Sequence, residues 1–452
     1  MTSILKKALI SLAAAAIALP LSAGAAFSQT LIRDAEIERT LSRLTNPILD
    51  AAGLQRNAVD VFIVSDPNLN AFVFGGRNMV FNTGLLARID RPEALMSVIA
   101  HETGHITGGH LTRRAVNAEN LQGPATVGLL LALIAGAAAG SPELAIAGAA
   151  GSEAAARRSF LAYTRAEEAS ADQAGATYLE RAGIDPAYAL DVLRIFRGQE
   201  VFQAGNVDPY ALTHPLSAER IALLQDRAAS TTARGGRVSE DLAYWHLRMR
   251  AKLSAFLSRP NRTLSQLEEA EEPESEISRL RRAIALHLLP DPPAALAEID
   301  ELIALRPEDP FYWELKGQIY FESGRAAEAV EPYRKAVSLA PEEPLIRGGL
   351  GRALLAADGP GDADEALTEL ELANRGGGAN PSILRDLALA HARAGDNARA
   401  SLATAERYAL QGASRDALIH ARRALDQLPV GSPGWLRADD IRAVAERAIG
   451  AN

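Results

Sequence analysis

Val98-Ile99-Ala100-His101-Glu102-Thr103-Gly104-His105 is the segment from which the rest of this chain can be understood. Its last five residues spell H-E-x-x-H. On a helix, residues i and i+4 share a face, so both imidazoles can reach one metal ion. Glu102 sits next to His101, close enough to act on a metal-bound water without being a ligand. No other pair among the eight histidines combines this spacing with a following Glu. The pattern predicts zinc-assisted peptide hydrolysis. Upstream, Asp90 and Glu93 fit a capping box, and Pro92 fits a first helical turn. The helix they start runs through Leu95, Met96, Val98 and Ile99 into the histidines.

The flanking sequence is mixed. Arg33 to Leu54 has apolar residues at helical spacing. Val59 to Val64 is β-branched and apolar, hence a strand. Asn70 to Gly76 and Asn78 to Asn82 predict two strands joined by a glycine-rich turn. Val127 to Ala150 is almost entirely Leu, Ile, Val, Ala and Gly, broken at Gly140-Ser141-Pro142-Glu143. It predicts either a buried helical hairpin over the core or a lid segment in peripheral contact with a membrane. Each half is too short to span a bilayer.

Bulk composition narrows the chemistry. The chain has 452 residues, 48% hydrophobic and 23% charged, the balance of a globular protein of two or three domains. A net charge of −9 gives no electrostatic footprint for nucleic acid. Cys is absent, which excludes disulfides, thiolate metal sites and cysteine nucleophiles. A metal must be held by His and carboxylate. At the N-terminus, Lys6 and Lys7 precede the apolar run Ala8 to Leu19 and an Ala23-Gly24-Ala25 cleavage pattern. Residues 1–25 are therefore expected to be a signal peptide, which places the protein in a bacterial periplasm.

The C-terminal part is periodic. Pro273, Pro307 and Pro341 recur every 34 residues. Within that unit, Trp313, Gly317, Tyr320, Ala329, Tyr333 and Ala336 occupy tetratricopeptide positions. A degenerate unit follows with Leu350, Gly351, Ala366 and Ala373, then a weaker one with Leu387, Ala388 and Ala400. Ser414 to Leu428 is expected to be a last helix pair. The expected domains are a zinc metallopeptidase domain at 26–225, a basic helical connector at 226–262 and a tetratricopeptide domain at 263–452. Stacked helix pairs form a concave surface for extended or bulky partners.

Two imidazoles do not complete a catalytic zinc site, which takes three protein ligands and an open position. Glu168 and Asp172 are i and i+4, on the same helical face as Gly175, Ala176 and Leu179. Glu168 is expected as the third ligand, with Asp172 accepting a ring N–H of a zinc histidine and fixing its tautomer. Zinc would acidify its water and polarise the scissile carbonyl, and Glu102 would take the proton. His214 and Arg220 are candidates for donors to the developing oxyanion, with Arg220 equally readable as structural. His110 is expected to be a structural histidine rather than a ligand. His246, His287, His391 and His420 get no catalytic role.

The motif Ile99 to His105, the downstream Arg165-x-x-Glu168-x-x-x-Asp172, and Thr213-His214-Pro215 with Arg220 together resemble the HtpX-like and CAAX prenyl protease-like gluzincins. Position 164 is Thr where the family pattern has Ser. The fold expected is α+β: a mostly helical gluzincin domain with a small sheet, followed by an all-α tetratricopeptide solenoid. The resemblance implies one Zn2+ per chain, with Glu168 as ligand, and a role in outer-membrane protein quality control. Unfolded or stalled outer-membrane proteins would be the substrates, and the repeats would dock them or the outer-membrane assembly machinery. For His214 it implies a second role, as a fourth zinc ligand that displaces water and keeps the enzyme latent. Asn70-Ala71-Phe72 matches the family's edge strand beside the zinc, which would pair with an extended substrate backbone. The alternative is mainly a chaperone or assembly scaffold with a latent protease domain.

Overall fold

Asp34 starts the first long helix by accepting a hydrogen bond from Ile37 N at 2.9 Å. Helix α1 (Ala35–Ala52) then runs to Gly53, whose φ of 72° turns the chain in a conformation that costs glycine nothing. Ile37, Leu41, Leu44 and Ile48 recur at helical spacing and are buried, so one stripe of α1 faces the core. The computed structural model describes residues 31–74, 76–110, 153–200, 214, 217–376 and 380–450. The expected signal peptide and the 127–150 segment lie outside these residues.

The stripe of α1 packs on a four-stranded sheet: β1 (Leu31–Ile32), β2 (Asp60–Val64), β3 (Ala71–Phe74) and β4 (Asn78–Asn82), in the order β1-β2-β4-β3. β3 and β4 form the expected antiparallel hairpin, with Phe72 opposite Val80. β2 runs parallel to β4, with Phe62 opposite the same Val80. β3 is therefore an edge strand. After α2 (Thr83–Arg88) comes the histidine helix, α3 (Pro92–Thr107).

Helix α3 begins at Pro92 as expected, but the capping box does not form. Its N-cap is Arg91, which makes no side-chain capping bond. The Glu93 carboxylate instead accepts from Val238 N at 3.2 Å, because the segment before residue 239 lies across this helix end. Every residue from Pro92 to His105 is buried. A helix walled in on all sides must be apolar on all sides, hence Ala94-Leu95-Met96 and Val98-Ile99-Ala100. Helix α4 (Glu153–Arg181) packs along it at backbone contact. A Cβ on Gly104 would lie 2.7 Å from Ala171 O, and one on Gly175 would lie 3.1 Å from His101 N.

Helices α5 (Ala187–Glu200) and α6 (Ala218–Ser230) lead to α7 (Glu240–Leu257), the centre of the expected connector. It forms a wall shared by two cores. Met249 and Leu253 belong to the core built on α1 and α3, while Ala255 belongs to the first core of the repeats. Arg248 and Lys252 lie between, 0% and 1% exposed. Arg248 ties Glu36 of α1 to Asp309, and its guanidinium stacks 3.9 Å from the Tyr312 ring centre. Lys252 Nζ reaches Asp34 at 2.8 Å and Glu36 at 3.3 Å.

From α8 (Pro260–Glu268) onward the described residues are helical hairpins: α9 (Glu276–Leu288) with α10 (Pro292–Leu305), α11 (Pro310–Glu322) with α12 (Ala326–Leu339), α13 (Pro344–Ala357) with α14 (Asp362–Gly376), and α15 (Pro381–Arg393) with α16 (Asn397–Leu410). Gly317 is needed for closeness: a Cβ there would lie 2.7 Å from the Tyr333 ring. The last expected pair is corrected. Ser414–Gln427 is a single helix, α17, and its partner is α18 (Pro433–Gly450). The break falls at Gly431, φ 79°, just before Pro433, which cannot continue a preceding helix. No described helix is long and apolar enough to cross a membrane.

Candidate active site

Close approach of α3 and α4 brings the site together. Because Gly104 rests on Ala171 and Gly175 on Ala100, His101 and His105 meet Glu168 and Asp172 across the helix pair. His101 Nε2 lies 3.1 Å from His105 Nε2 and 3.2 Å from Glu168 Oε2. His105 Nε2 lies 3.2 Å from Glu168 Oε1. His214 enters from the chain just before α6, with Nδ1 3.2 Å from His101 Nε2 and 3.1 Å from Glu168 Oε2. All four residues are buried, and their donor atoms lie within 4.8 Å of one another.

These spacings test whether a metal fits. Donors placed tetrahedrally about 2.0–2.1 Å from an ion are separated by about 3.3 Å. Five contacts in the cluster, drawn from both oxygens of Glu168, span 3.1 to 3.2 Å, close to that edge length, and the four donor atoms all lie within 4.8 Å. The donor set is nitrogen and oxygen without sulfur, suited to a divalent transition ion. His101, His105, Glu168 and His214 can therefore hold a metal.

Two of the three histidines are braced from behind. His101 Nδ1 lies 2.9 Å from Asp172 Oδ1. Arg220 grips that carboxylate, Nε donating to Oδ2 at 2.6 Å and Nη2 to Oδ1 at 2.9 Å. Arg220 Nη1 also sits 3.1 Å from Glu168 Oε2. This guanidinium is engaged with two carboxylates. His105 Nδ1 lies 2.9 Å from His110 Nδ1, so His110 touches the site without joining the donor set. Its sequence signal was the pair Gly108-Gly109, which lets the chain fold back on the helix.

Burial and charge set the protonation of the bare side chains. Burial opposes a charge on His101, but Asp172 and Glu168 overcome it and raise its pKa to about 10. Burial prevails at His105 and lowers its pKa to about 3, against the pull of Glu168. Burial would also raise Glu168, yet His214, His101 and His105 hold it well below the usual carboxylate range. At Asp172, burial is outweighed by Arg220 and His101, and the group stays anionic.

Glu102 is different. It is 1% exposed, and neither carboxylate oxygen accepts a hydrogen bond among the described residues. Its Oε1 faces His214 Nε2 at 3.6 Å. Burial raises its pKa, opposed by His214 and His101. A buried carboxylate left unsatisfied is costly, and its proton affinity is raised. That suits a proton acceptor aimed at the site.

The other expected residues are not among these donors. Asn70 precedes β3, Ala71 pairs with Phe81, and Phe72 pairs with Val80. Asn70 O accepts from Asn82 N at 3.0 Å, while its buried carboxamide has no hydrogen-bond partner among the described residues. Glu167 is half-buried and outside the donor cluster. Thr213 and Pro215 lie outside the described residues. His246, His287, His391 and His420 are not in the donor cluster. His287 pairs with Glu322, and His420 stacks on Tyr408.

Comparison with known proteins agrees with this geometry. Residues 32–228 match the model described as Peptidase family M48. The chain is 26% identical over 425 residues to the beta-barrel assembly-enhancing protease of Yersinia pestis, covering 93% of this chain and 86% of that one. It is 31% identical over 201 residues to a putative beta-barrel assembly-enhancing protease of Vibrio cholerae, covering 44% of this chain and 41% of that one. It is 27% identical over 187 residues to a mitochondrial metalloendopeptidase of Schizosaccharomyces pombe, covering 41% of this chain and 51% of that one. With its H-E-x-x-H helix, buried donor cluster and helical repeats, the chain carries a peptidase family M48 domain at residues 32–228 and is a metalloendopeptidase.

Proposed function

We propose that the chain is a periplasmic zinc endopeptidase that hydrolyses misfolded or stalled outer-membrane proteins, with its repeats docking substrates or the assembly machinery. The observation that carries this is the buried carboxylate of Glu102, without a hydrogen-bond partner among the described residues, beside four converging donors, on a chain whose other half is stacked helix pairs. His101, His105 and Glu168 would hold the ion, and His214 Nδ1 sits where a fourth donor would. A bound zinc would supply a Lewis acid for the scissile carbonyl and a more acidic water. Glu102 then takes a proton at its carboxylate and returns it to the leaving amine. Asp172 and Arg220 keep His101 and Glu168 oriented. β3, the edge strand that follows Asn70 and begins with Ala71 and Phe72, would align an extended substrate segment. The names of the curated relatives support the outer-membrane setting.

The test is Glu102→Gln. The variant should bind zinc as the wild type does and lose casein cleavage altogether. Retained cleavage would overturn the role of Glu102. Glu168→Ala should lose the metal, and full zinc occupancy would remove Glu168 from the ligands.

A second reading has its own support. His214 reaches the donor cluster at the same spacing as the other ligands, which favours a latent resting state and mainly scaffolding work. Casein cleavage by His214→Ala well above wild type supports latency. Rescue of an assembly defect by Glu102→Gln in a deletion strain would favour the scaffold over cleavage.

A further inference from the structure

His110 is 2% exposed and meets the site from behind. Its Nδ1 lies 2.9 Å from His105 Nδ1, with the two rings 78° apart. The other nitrogen of His105, Nε2, is one of the converging donors. An imidazole that offers Nε2 to a cation carries its proton on Nδ1. His105 Nδ1 is then the donor of this contact, and His110 Nδ1 must accept.

We infer that His110 is the positioning residue for His105, its Nδ1 lone pair receiving the His105 N–H and so fixing that ligand's tautomer and ring plane. This rests on the metal centre proposed above. It gives His105 what Asp172 gives His101, with one difference. The carboxylate of Asp172 pushes charge onto its histidine, whereas a neutral imidazole orients its partner without adding a negative charge beside the ion.

The local chain is shaped for this contact. Residue 110 is five positions beyond His105, one too many for a straight helical neighbour. Gly109, at φ 59°, makes the turn that brings it back. Gly108 supplies the space: a Cβ there would lie 2.4 Å from His110 Nε2 and 2.8 Å from Cε1. The ring occupies the volume a side chain at 108 would take.

The test is zinc affinity of the full chain, measured by chelator competition, beside thermal melts of the metal-free proteins. His110→Leu keeps the bulk and removes the acceptor, and should weaken zinc binding by about 10–100-fold. His110→Asn places a carboxamide oxygen near the Nδ1 position and should restore binding to within about threefold of wild type. Gly108→Ala should weaken binding as His110→Leu does, because it displaces the ring with His110 intact. It also carries the test should His110→Leu fail to fold. Wild-type affinity in His110→Leu, or equal losses in the Leu and Asn variants, would overturn the inference. Failure of the metal centre itself looks different, since the wild type would then bind no zinc.

Discussion

At the scale of single residues, the site depends on one guanidinium. Arg220 is 2% exposed, and its single positive charge is shared between two buried carboxylates, Asp172 and Glu168. Removing one partner of a buried charge group typically costs about 3–5 kcal/mol. Arg220→Leu should therefore lower the urea midpoint of the metal-free protein, and added zinc should recover part of the loss by neutralising Glu168. An unchanged midpoint would mean that water replaces the guanidinium. His246 makes a separate prediction. Burial and the nearby Arg250 lower its pKa to about 4, against Asp90. Its unfolded value is near 6.5, so between pH 6.5 and 4 the unfolded chain binds a proton that the folded chain does not. Stability should fall as pH drops through that window, by about 3 kcal/mol from this group. His246→Leu should flatten that part of the pH dependence in denaturant melts.

At the scale of elements, two glycines decide whether the ligands meet. H-E-x-x-H places His101 and His105 on one face of α3, but nothing in that pattern brings α4 to it. Gly104 does, by resting its α-carbon against Ala171. Gly104→Ala should push the helices apart, at a cost of about 1–3 kcal/mol as overpacked cores show. Zinc occupancy, read by metal analysis, should fall although every ligand is intact. Occupancy at the wild-type level would show that the helix pair can give. The strands around the site were legible from β-branched and apolar runs, as at Val59 to Val64. The capping box was not, because Asp90 and Glu93 have the right spacing but Val238 takes the Glu93 carboxylate. The final repeat differs from expectation too: Ser414–Gln427 is a single helix, and the break to its partner falls at Gly431 and Pro433.

At the scale of the whole molecule, α7 joins two cores. Arg248 and Lys252 form a buried charge cluster with Asp34 and Glu36 on one side and Asp309 on the other. Burial works against charge on both, and the carboxylates overcome it and keep them protonated. An exposed pair, Arg39 with Glu343 at 2.8 Å, adds a second link between α1 and the repeats. Arg248→Met should cost about 3–5 kcal/mol and loosen the coupling. Calorimetry should then resolve separate transitions for the peptidase domain and the repeats, where the wild type unfolds in fewer steps. A single undivided transition in the variant would show that apolar packing of Met249, Leu253 and Ala255 couples the halves alone.

What the residues alone determined was chemistry and class. The spacing of His101 and His105, Glu102 between them, the absence of Cys and the 34-residue period are local or compositional facts, readable without coordinates. Glu168 and Asp172 could be singled out too, because i and i+4 place them together on an apolar face. What only the tertiary structure decided was which distant groups meet. The placement of His214 among the donors, the commitment of Arg220 to two carboxylates, the contact of His110 with His105, and the ties of Arg248 to both halves all join residues from separate elements or across a turn. Helical and strand periodicity report which face is buried; they carry no information on what that face is buried against.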